Sequence, residues 1–462
     1  MRRRIYRGTV SAAAFAAGLG WVIAAHGQTL DDALIKTYQN NPTIGAQRAR
    51  LRSTDEQVPR ALSNWRPTVS LQIDAGKGIE SSEINGADRS TISKQSENRS
   101  ERVYGLTITQ PLFRGFRTTA ETERAEHRVV AERARLIGIE QTVLRDAIIA
   151  YLNVVRDEAV LDLNNNNEQV LKKQLEATVD RFEVGEVTRT DVAQAEARHA
   201  RATAERIQSE GQLEAARAAY LRLVGETPGK LAEPPVPGDL PLSLKDALDA
   251  ARTRNPAVVA ADFDQRSAEA DVDLVAGEGL PSMNLIGSFT KSDNVSAVFS
   301  RSNEGRAIAR LTVPLYQQGA VDARLRESKQ ISSQRKALIE EARRQAMEDT
   351  ISSWEEMMSA RARVVSFTKE AEANRIALEG VEQEAAAGLR TVLDVLDAEQ
   401  ELRDARVNLV RARRDRVVAA YRVRQAVGNL TARDLGLPVD LYDPAAYYNK
   451  VRDKIWGSGI DE

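Results

Sequence analysis

Asp394 and Asp397 are the residues of this sequence whose type and spacing come nearest to doing chemistry. Three positions apart on a helix, two carboxylates share one face. Crowded into a constriction, such a pair would repel anions, concentrate cations and could hold a multivalent metal ion. On an open helix face the same pair would only be solvated. The spacing alone leaves both readings open. Little else in the chain points to reactive groups. His26, His127 and His199 are scattered, no cluster has metal-ligand spacing, and neither a phosphate-cradling glycine loop nor a nucleophile motif is present. The chain has no cysteine, which excludes disulfides, thiol catalysis and a lipidated cysteine anchor. No enzymatic step and no cofactor is expected.

The two aspartates sit in a unit that the chain states twice. Gly185, Thr188, Asp191-Val192 and Ala195-Glu196 return as Gly388, Thr391, Asp394-Val395 and Ala398-Glu399. Thr29-Leu30-Asp31-Asp32-Ala33-Leu34, closing on Asn41-Pro42, returns as Ser243-Leu244-Lys245-Asp246-Ala247-Leu248, closing on Asn255-Pro256. Thr109-Gln110-Pro111-Leu112-Phe113 returns as Thr312-Val313-Pro314-Leu315-Tyr316. Two copies of one unit imply one pseudo-symmetric structure. The first repeat covers residues 28–232, a Pro-rich linker residues 233–242, the second repeat residues 243–436, and a tail residues 437–462.

Composition narrows the class. Charged residues make up 29% and aromatics 5%, a bias that suits long helices with solvated faces better than a thick core. A net charge of −2 gives no general attraction to nucleic acid. Arg2, Arg3, Arg4 and Arg7, then the apolar Val10 to Ala25, then Ala25-His26-Gly27, have the form of a signal peptide over residues 1–27. No later run is apolar enough for a transmembrane helix, so the exported chain is expected to be periplasmic or a β-barrel.

Four segments alternate with period two, as half-buried strands do. Val69, Leu71, Ile73 and Ala75 face one way, as do Tyr104, Leu106 and Ile108; Met283, Leu285 and Phe289 follow, then Ala309, Leu311, Val313 and Leu315. Polar stretches, Ser81–Ser100 and Ser292–Gly305, are expected as loops between them. This one-sided pattern fits two hairpins of membrane strands, about 66–113 and 281–316. Trp65, Tyr104, Phe113, Phe116, Phe289, Phe299 and Tyr316 stand near the strand ends, a placement that fits either a membrane interface or packing between barrel and helices.

The remainder reads as helix. Arg114 to about Phe182 and Gln317 to about Ala385 lack proline and carry seven-residue apolar rows: Val154, Leu161, Leu175 and Phe182 in one, Ile351, Met358 and Val365 in the other. Helices of about 70 residues would be on the order of 100 Å long. Gly185 and Gly388 stand where each must turn back, and Gly225 and Gly428 end the returning helices. Four strands cannot close a barrel, and an open sheet in lipid leaves backbone groups unpaired at several kcal/mol each. Two or three copies must therefore combine.

The duplicated Gly-x-x-Thr-x-x-Asp-Val turn, the hairpin exits at Gln110-Pro111-Leu112-Phe113 and Val313-Pro314-Leu315-Tyr316, and the run Gly388-Leu389-Arg390-Thr391-Val392-Leu393-Asp394 resemble the TolC family of outer-membrane factors. The resemblance spans essentially the whole mature chain. It implies a mainly α fold with a membrane β-barrel portion: a homotrimer whose twelve-stranded barrel, four strands per chain, continues into a long α-helical barrel. It further implies an exit duct of tripartite efflux or type I secretion, placed in the outer membrane and reaching into the periplasm. The partners implied are a periplasmic adaptor, an ABC, RND or MFS pump in the inner membrane, and outer-membrane lipid.

By the same resemblance, Asp394 and Asp397 form acidic rings at the periplasmic entrance. Arg390 pairs with Asp191, beside Thr190, on the neighbouring hairpin to hold the duct closed, and Gly185, Glu186, Val187, Gly388 and Leu389 form tips that meet the adaptor. Ala385 stands where the family often has a tyrosine, which removes one bond from the implied latch. The competing reading is a soluble periplasmic coiled-coil adaptor or scaffold without a barrel.

Overall fold

A computed structural model describes residues 28–85, 92–295 and 300–460. The expected signal segment, with His26, and also Phe299, lie outside the described residues. Among them the order is α1 (Leu30–Asn40), α2 (Pro42–Asp55), α3 (Gln57–Leu62), β1 (Thr68–Asn85), β2 (Ile92–Phe113), α4 (Arg117–Glu183), α5 (Arg189–Val224), α6 (Leu244–Arg254), α7 (Pro256–Ala276), β3 (Ser282–Asp293), β4 (Arg301–Thr312), α8 (Ala320–Ala386), α9 (Val392–Ala426) and α10 (Ala446–Val451). The second half thus repeats the helix–hairpin–helix order of the first.

The strands form one antiparallel sheet in the order β1-β2-β3-β4. Its register gathers the alternating residues on a single face. Val69 lies opposite Ile108, Leu71 opposite Leu106, Leu106 opposite Phe289, and Met283 opposite Leu311. Because side chains alternate with period two, the other face carries Ser70, Gln72, Thr107, Ser288, Arg306 and Arg310. The apolar face is uncovered in the single chain: Leu71 is 66% exposed and Leu311 63%.

Two expectations need correction here. Ser81–Ser100 is not one loop, since β1 runs to Asn85 and β2 resumes at Ile92 with the ladder unbroken between them. Backbone pairing continues beyond the apolar band, where alternation no longer signals a strand. Likewise β3 reaches Asp293 and β4 starts at Arg301. β4 also stops at Thr312, before Pro314, and leaves Leu315 and Tyr316 exposed.

The helices α4 and α8 have 67 residues each, or about 100 Å. Each leaves its hairpin through two consecutive left-handed residues, Gly115-Phe116 and Gln318-Gly319. At the first junction a Cβ on Gly115 would lie 2.5 Å from the Gly277 carbonyl oxygen, and one on Gly277 would lie 2.4 Å from that of Gly115. The two glycines let β2 enter α4 directly against the turn that carries α7 into β3.

The repeated Asn-Pro pairs explain themselves at the other end. Asn41 caps α2, its side-chain oxygen accepting the Thr43 N–H at 2.9 Å, while its amide donates to the Leu223 carbonyl at the end of α5, 3.0 Å away. Asn255 does the same for α7, bonding the Ala257 N–H at 2.9 Å and the Ala426 carbonyl of α9 at 3.2 Å. Proline at the first helical position has no N–H to leave unpaired. One residue thus satisfies an orphan donor of one helix and an orphan acceptor of another.

The main core lies where α1, α4, α5 and α9 meet, around Leu34, Leu144, Ile148, Tyr151, Tyr220 and Val418. The buried Tyr151 hydroxyl sits 2.8 Å from the Gln28 carbonyl and 2.6 Å from that of Ala232, tying both ends of the first repeat to α4. The tail packs back on the first repeat. The Tyr442 N–H donates to the Tyr38 hydroxyl (3.0 Å), the Tyr447 hydroxyl to Glu56 (2.7 Å), and Arg66 to the Lys454 carbonyl (2.9 Å). Beneath it Asp55 is 0% exposed, and neither of its carboxylate oxygens accepts a hydrogen bond.

Burial pushes the Asp55 carboxyl up to about 6, against the opposing pull of Arg133. The folded protein therefore holds this proton more tightly than the unfolded chain, and ionising the carboxyl in place costs stability. That cost is absent below about pH 4, grows to pH 6 and is full above it, about 3 kcal/mol. Asp55→Asn is expected to raise the unfolding free energy at pH 7.5 by up to this amount. The gain over wild type should shrink to nothing by pH 4, as chemical denaturation at both pH values would show.

Candidate functional site

The two hairpin tips are built alike. α4 ends on Gly185 at φ +82°, with the Gly185 N–H bonded to the Phe182 carbonyl (3.0 Å) and the Glu186 N–H to that of Arg181 (2.9 Å). α8 ends on Gly388 at φ +76°, with the Gly388 and Leu389 N–H groups bonded to the Ala385 and Glu384 carbonyls at 3.0 and 2.9 Å. These paired bonds close the last turn around a left-handed glycine. Val187 is half-buried, and Glu186 and Leu389 are exposed.

Each return helix then begins with a capping box. The Thr188 N–H and hydroxyl donate to Asp191 Oδ2 at 2.8 and 2.7 Å, and the Asp191 N–H donates to Thr188 Oγ1 at 3.3 Å. In the second tip the Thr391 N–H and hydroxyl donate to Asp394 Oδ2, both at 2.8 Å, and the Asp394 N–H donates back at 3.2 Å. The Thr188 hydroxyl, then its N–H, hold the Asp191 carboxyl below the usual range. The Thr391 N–H, then its hydroxyl, do the same for Asp394.

The structure places the expected gate residues at these tips. Within one chain Asp191 is engaged by Thr188, and Arg390 donates through Nε to Glu384 at 2.8 Å. The Glu384 bond raises the Arg390 guanidinium above its ordinary value. Local partners in the same turn reach each group first. Thr190 is exposed in the first turn of α5. Asp394 and Asp397 do share the start of α9, but Asp397 is not free: Arg198 of α5 donates to its Oδ1 at 2.5 Å and also bonds Gln400. Deeper between the hairpins Arg403 meets Glu205 at 2.8 Å, beside the small cluster of Leu171, Ala202 and Leu396.

Sequence reasoning missed Arg198, Glu384 and Arg403. It missed the caps as well, although Thr-x-x-Asp at the start of a helix is a signal that could have found them. The cross-hairpin arginines had no such signal, because their partners are set by packing of α5 on α9. Among the described residues no group of three or more metal-binding side chains gathers.

A four-stranded sheet with one apolar face, carried on two helical hairpins of this length, defines an outer-membrane channel protein that reaches into the periplasm. The profile of the outer membrane efflux protein family matches residues 34–226 and 247–429, one stretch in each repeat, and the chain belongs to that family. It is 32% identical to the outer membrane efflux protein BepC of Brucella suis, over 94% of this chain and 92% of that one. It is 24% identical to the alkaline protease secretion protein AprF of Pseudomonas aeruginosa, over 82% and 80%. The fold matches the Campylobacter jejuni CmeC outer membrane channel with a TM-score of 0.76 at 13% identity, covering 97% and 98%. The protein is thus an outer-membrane efflux or secretion channel, not a soluble periplasmic scaffold.

If the capping boxes hold the tips, Thr188→Val and Thr391→Val should speed amide hydrogen exchange in the first turns of α5 and α9. Exchange in the core of α4 should not change. Equal rates in variant and wild type at residues 189–195 and 392–398 would remove the caps from this account.

Proposed function

We propose that three copies of this chain close a twelve-stranded barrel and a continuous helical duct, and that the hairpin tips gate its periplasmic entrance. The reading rests above all on the sheet. Its apolar face is bare, and β1 and β4 each leave one edge unpaired within the chain, so lipid and a neighbouring copy are the surfaces that satisfy it. A second stripe agrees: Ile351, Met358 and Val365 on α8 remain exposed, Met358 at 45%, although they form a seven-residue row. That row is the contact surface for the next copy.

In this assembly Arg390 of one copy approaches Asp191 and Thr190 on the adjoining hairpin of the next, exchanging its bond to Glu384 for one between chains. The latch closes the resting duct, and release accompanies opening. Asp394 and Asp397, repeated three times, form the acidic entrance. Gly185, Glu186, Val187, Gly388 and Leu389 meet a periplasmic adaptor, which joins the duct to an ABC, RND or MFS pump. Val184 and Leu389, 73% and 76% exposed at the tips, supply apolar anchors for that contact. Cargo passes without any covalent step.

Purified mature protein should run as a three-copy species in detergent and conduct ions in planar bilayers. Arg390→Ala and Asp191→Asn, the latter keeping the cap, should each raise single-channel conductance several-fold; unchanged conductance in both excludes the latch. Asp394→Asn with Asp397→Asn should abolish block by multivalent cations added on the periplasmic side. Block that persists in this pair of substitutions would move the cation site elsewhere.

A further inference from the structure

A cavity of about 320 Å³ opens between α2, α4, the end of α6 and the segment that follows α9, and the tail closes one side of it. Four arginines line it: Arg48, Arg133, Arg254 and Arg433. The Arg48 guanidinium is held between two rings, 4.6 Å from the centre of Tyr38 and 5.1 Å from that of Tyr442. Stacking of this kind fixes the plane of a guanidinium, and Arg48 spends one Nη2 N–H on the Tyr38 carbonyl at 3.4 Å.

Arg133 is anchored over Tyr448 at 5.1 Å, yet its Nε and Nη2 are buried and donate to nothing. Arg254 and Arg433 stand exposed at the rim, and neither forms an ion pair among the described residues.

The acids present do not satisfy these donors. Glu140 accepts the Ala432 N–H at 2.7 Å, and Asp434 accepts the Thr431 hydroxyl at 2.6 Å. Asp55, behind Arg133, accepts no hydrogen bond and acts on it only through space. Buried donors without acceptors call for a missing partner. Planar guanidinium forks match the paired oxygens of carboxylate and phosphate.

We propose that this cavity binds a small soluble oxyanion, a molecule bearing phosphate or carboxylate groups. Lipid headgroups are out of reach, since Arg133 lies about 24 Å along α4 from the helix start beside the barrel. The volume equals about ten water molecules, enough for an anion of modest size. None of the lining residues belongs to the sheet edges, the exposed row of α8 or the hairpin tips on which the three-copy duct rests.

The test is a titration of the mature protein in detergent with inorganic phosphate and, separately, with citrate, each against sodium chloride of equal ionic strength. Thermal unfolding and calorimetry give the readout. A saturating rise in midpoint with one or both anions is expected, with citrate alone assigning the site to carboxylates and phosphate alone to phosphates. The double substitution Arg254→Ala, Arg433→Ala removes only exposed rim groups and should weaken binding tenfold or more. A shift no larger than that in chloride, or unchanged affinity in the double variant, overturns the proposal.

Discussion

Hydrocarbon offers no hydrogen bonds, and that single fact governs this chain. Every backbone N–H and C=O inside a bilayer must find a protein partner. A sheet of four strands satisfies its three inner seams and leaves its two rims open. The remainder of the architecture follows from having to complete that sheet with other copies. One tight glycine contact, Gly115 against Gly277, sits where sheet and helices join.

Below the membrane the problem changes from hydrogen bonding to length. A stalk on the order of 100 Å cannot be held by a central core, so burial is distributed: one cluster where α1, α5 and α9 meet α4, a second where Val58 and Ala61 of α3 meet Ala125 and Val129 of α4, and a small one near the tips. Between them charged pairs do much of the matching, as with Arg206 and Glu168 at 2.6 Å. Part-buried pairs of this kind add only modestly to stability. They fix which helix lies beside which.

The sequence was most readable where structure is local. Alternation located the strands, proline-free runs located α4 and α8 to within a few residues, and Gly185 and Gly388 marked the reversals. It was least readable where partners are brought together by packing. Nothing in the spacing signals that Arg198 of α5 reaches Asp397, or that Glu384 engages Arg390 within one turn. The far ends of β1 and β2 carry no such signal, because alternation reports burial whereas their ladder is a pairing of backbone groups.

The Asn41 and Asn255 junctions have a mechanical consequence. In each chain two rods, α4 and α8, are unbroken polymers of peptide bonds, while the ends of α5 and α9 are bonded to the starts of α2 and α7 through side-chain amides. A hydrogen-bonded splice yields to torsion far more readily than a covalent backbone. Stress applied at the far end is therefore borne by two stiff members and relieved at two compliant ones, all placed at the same height.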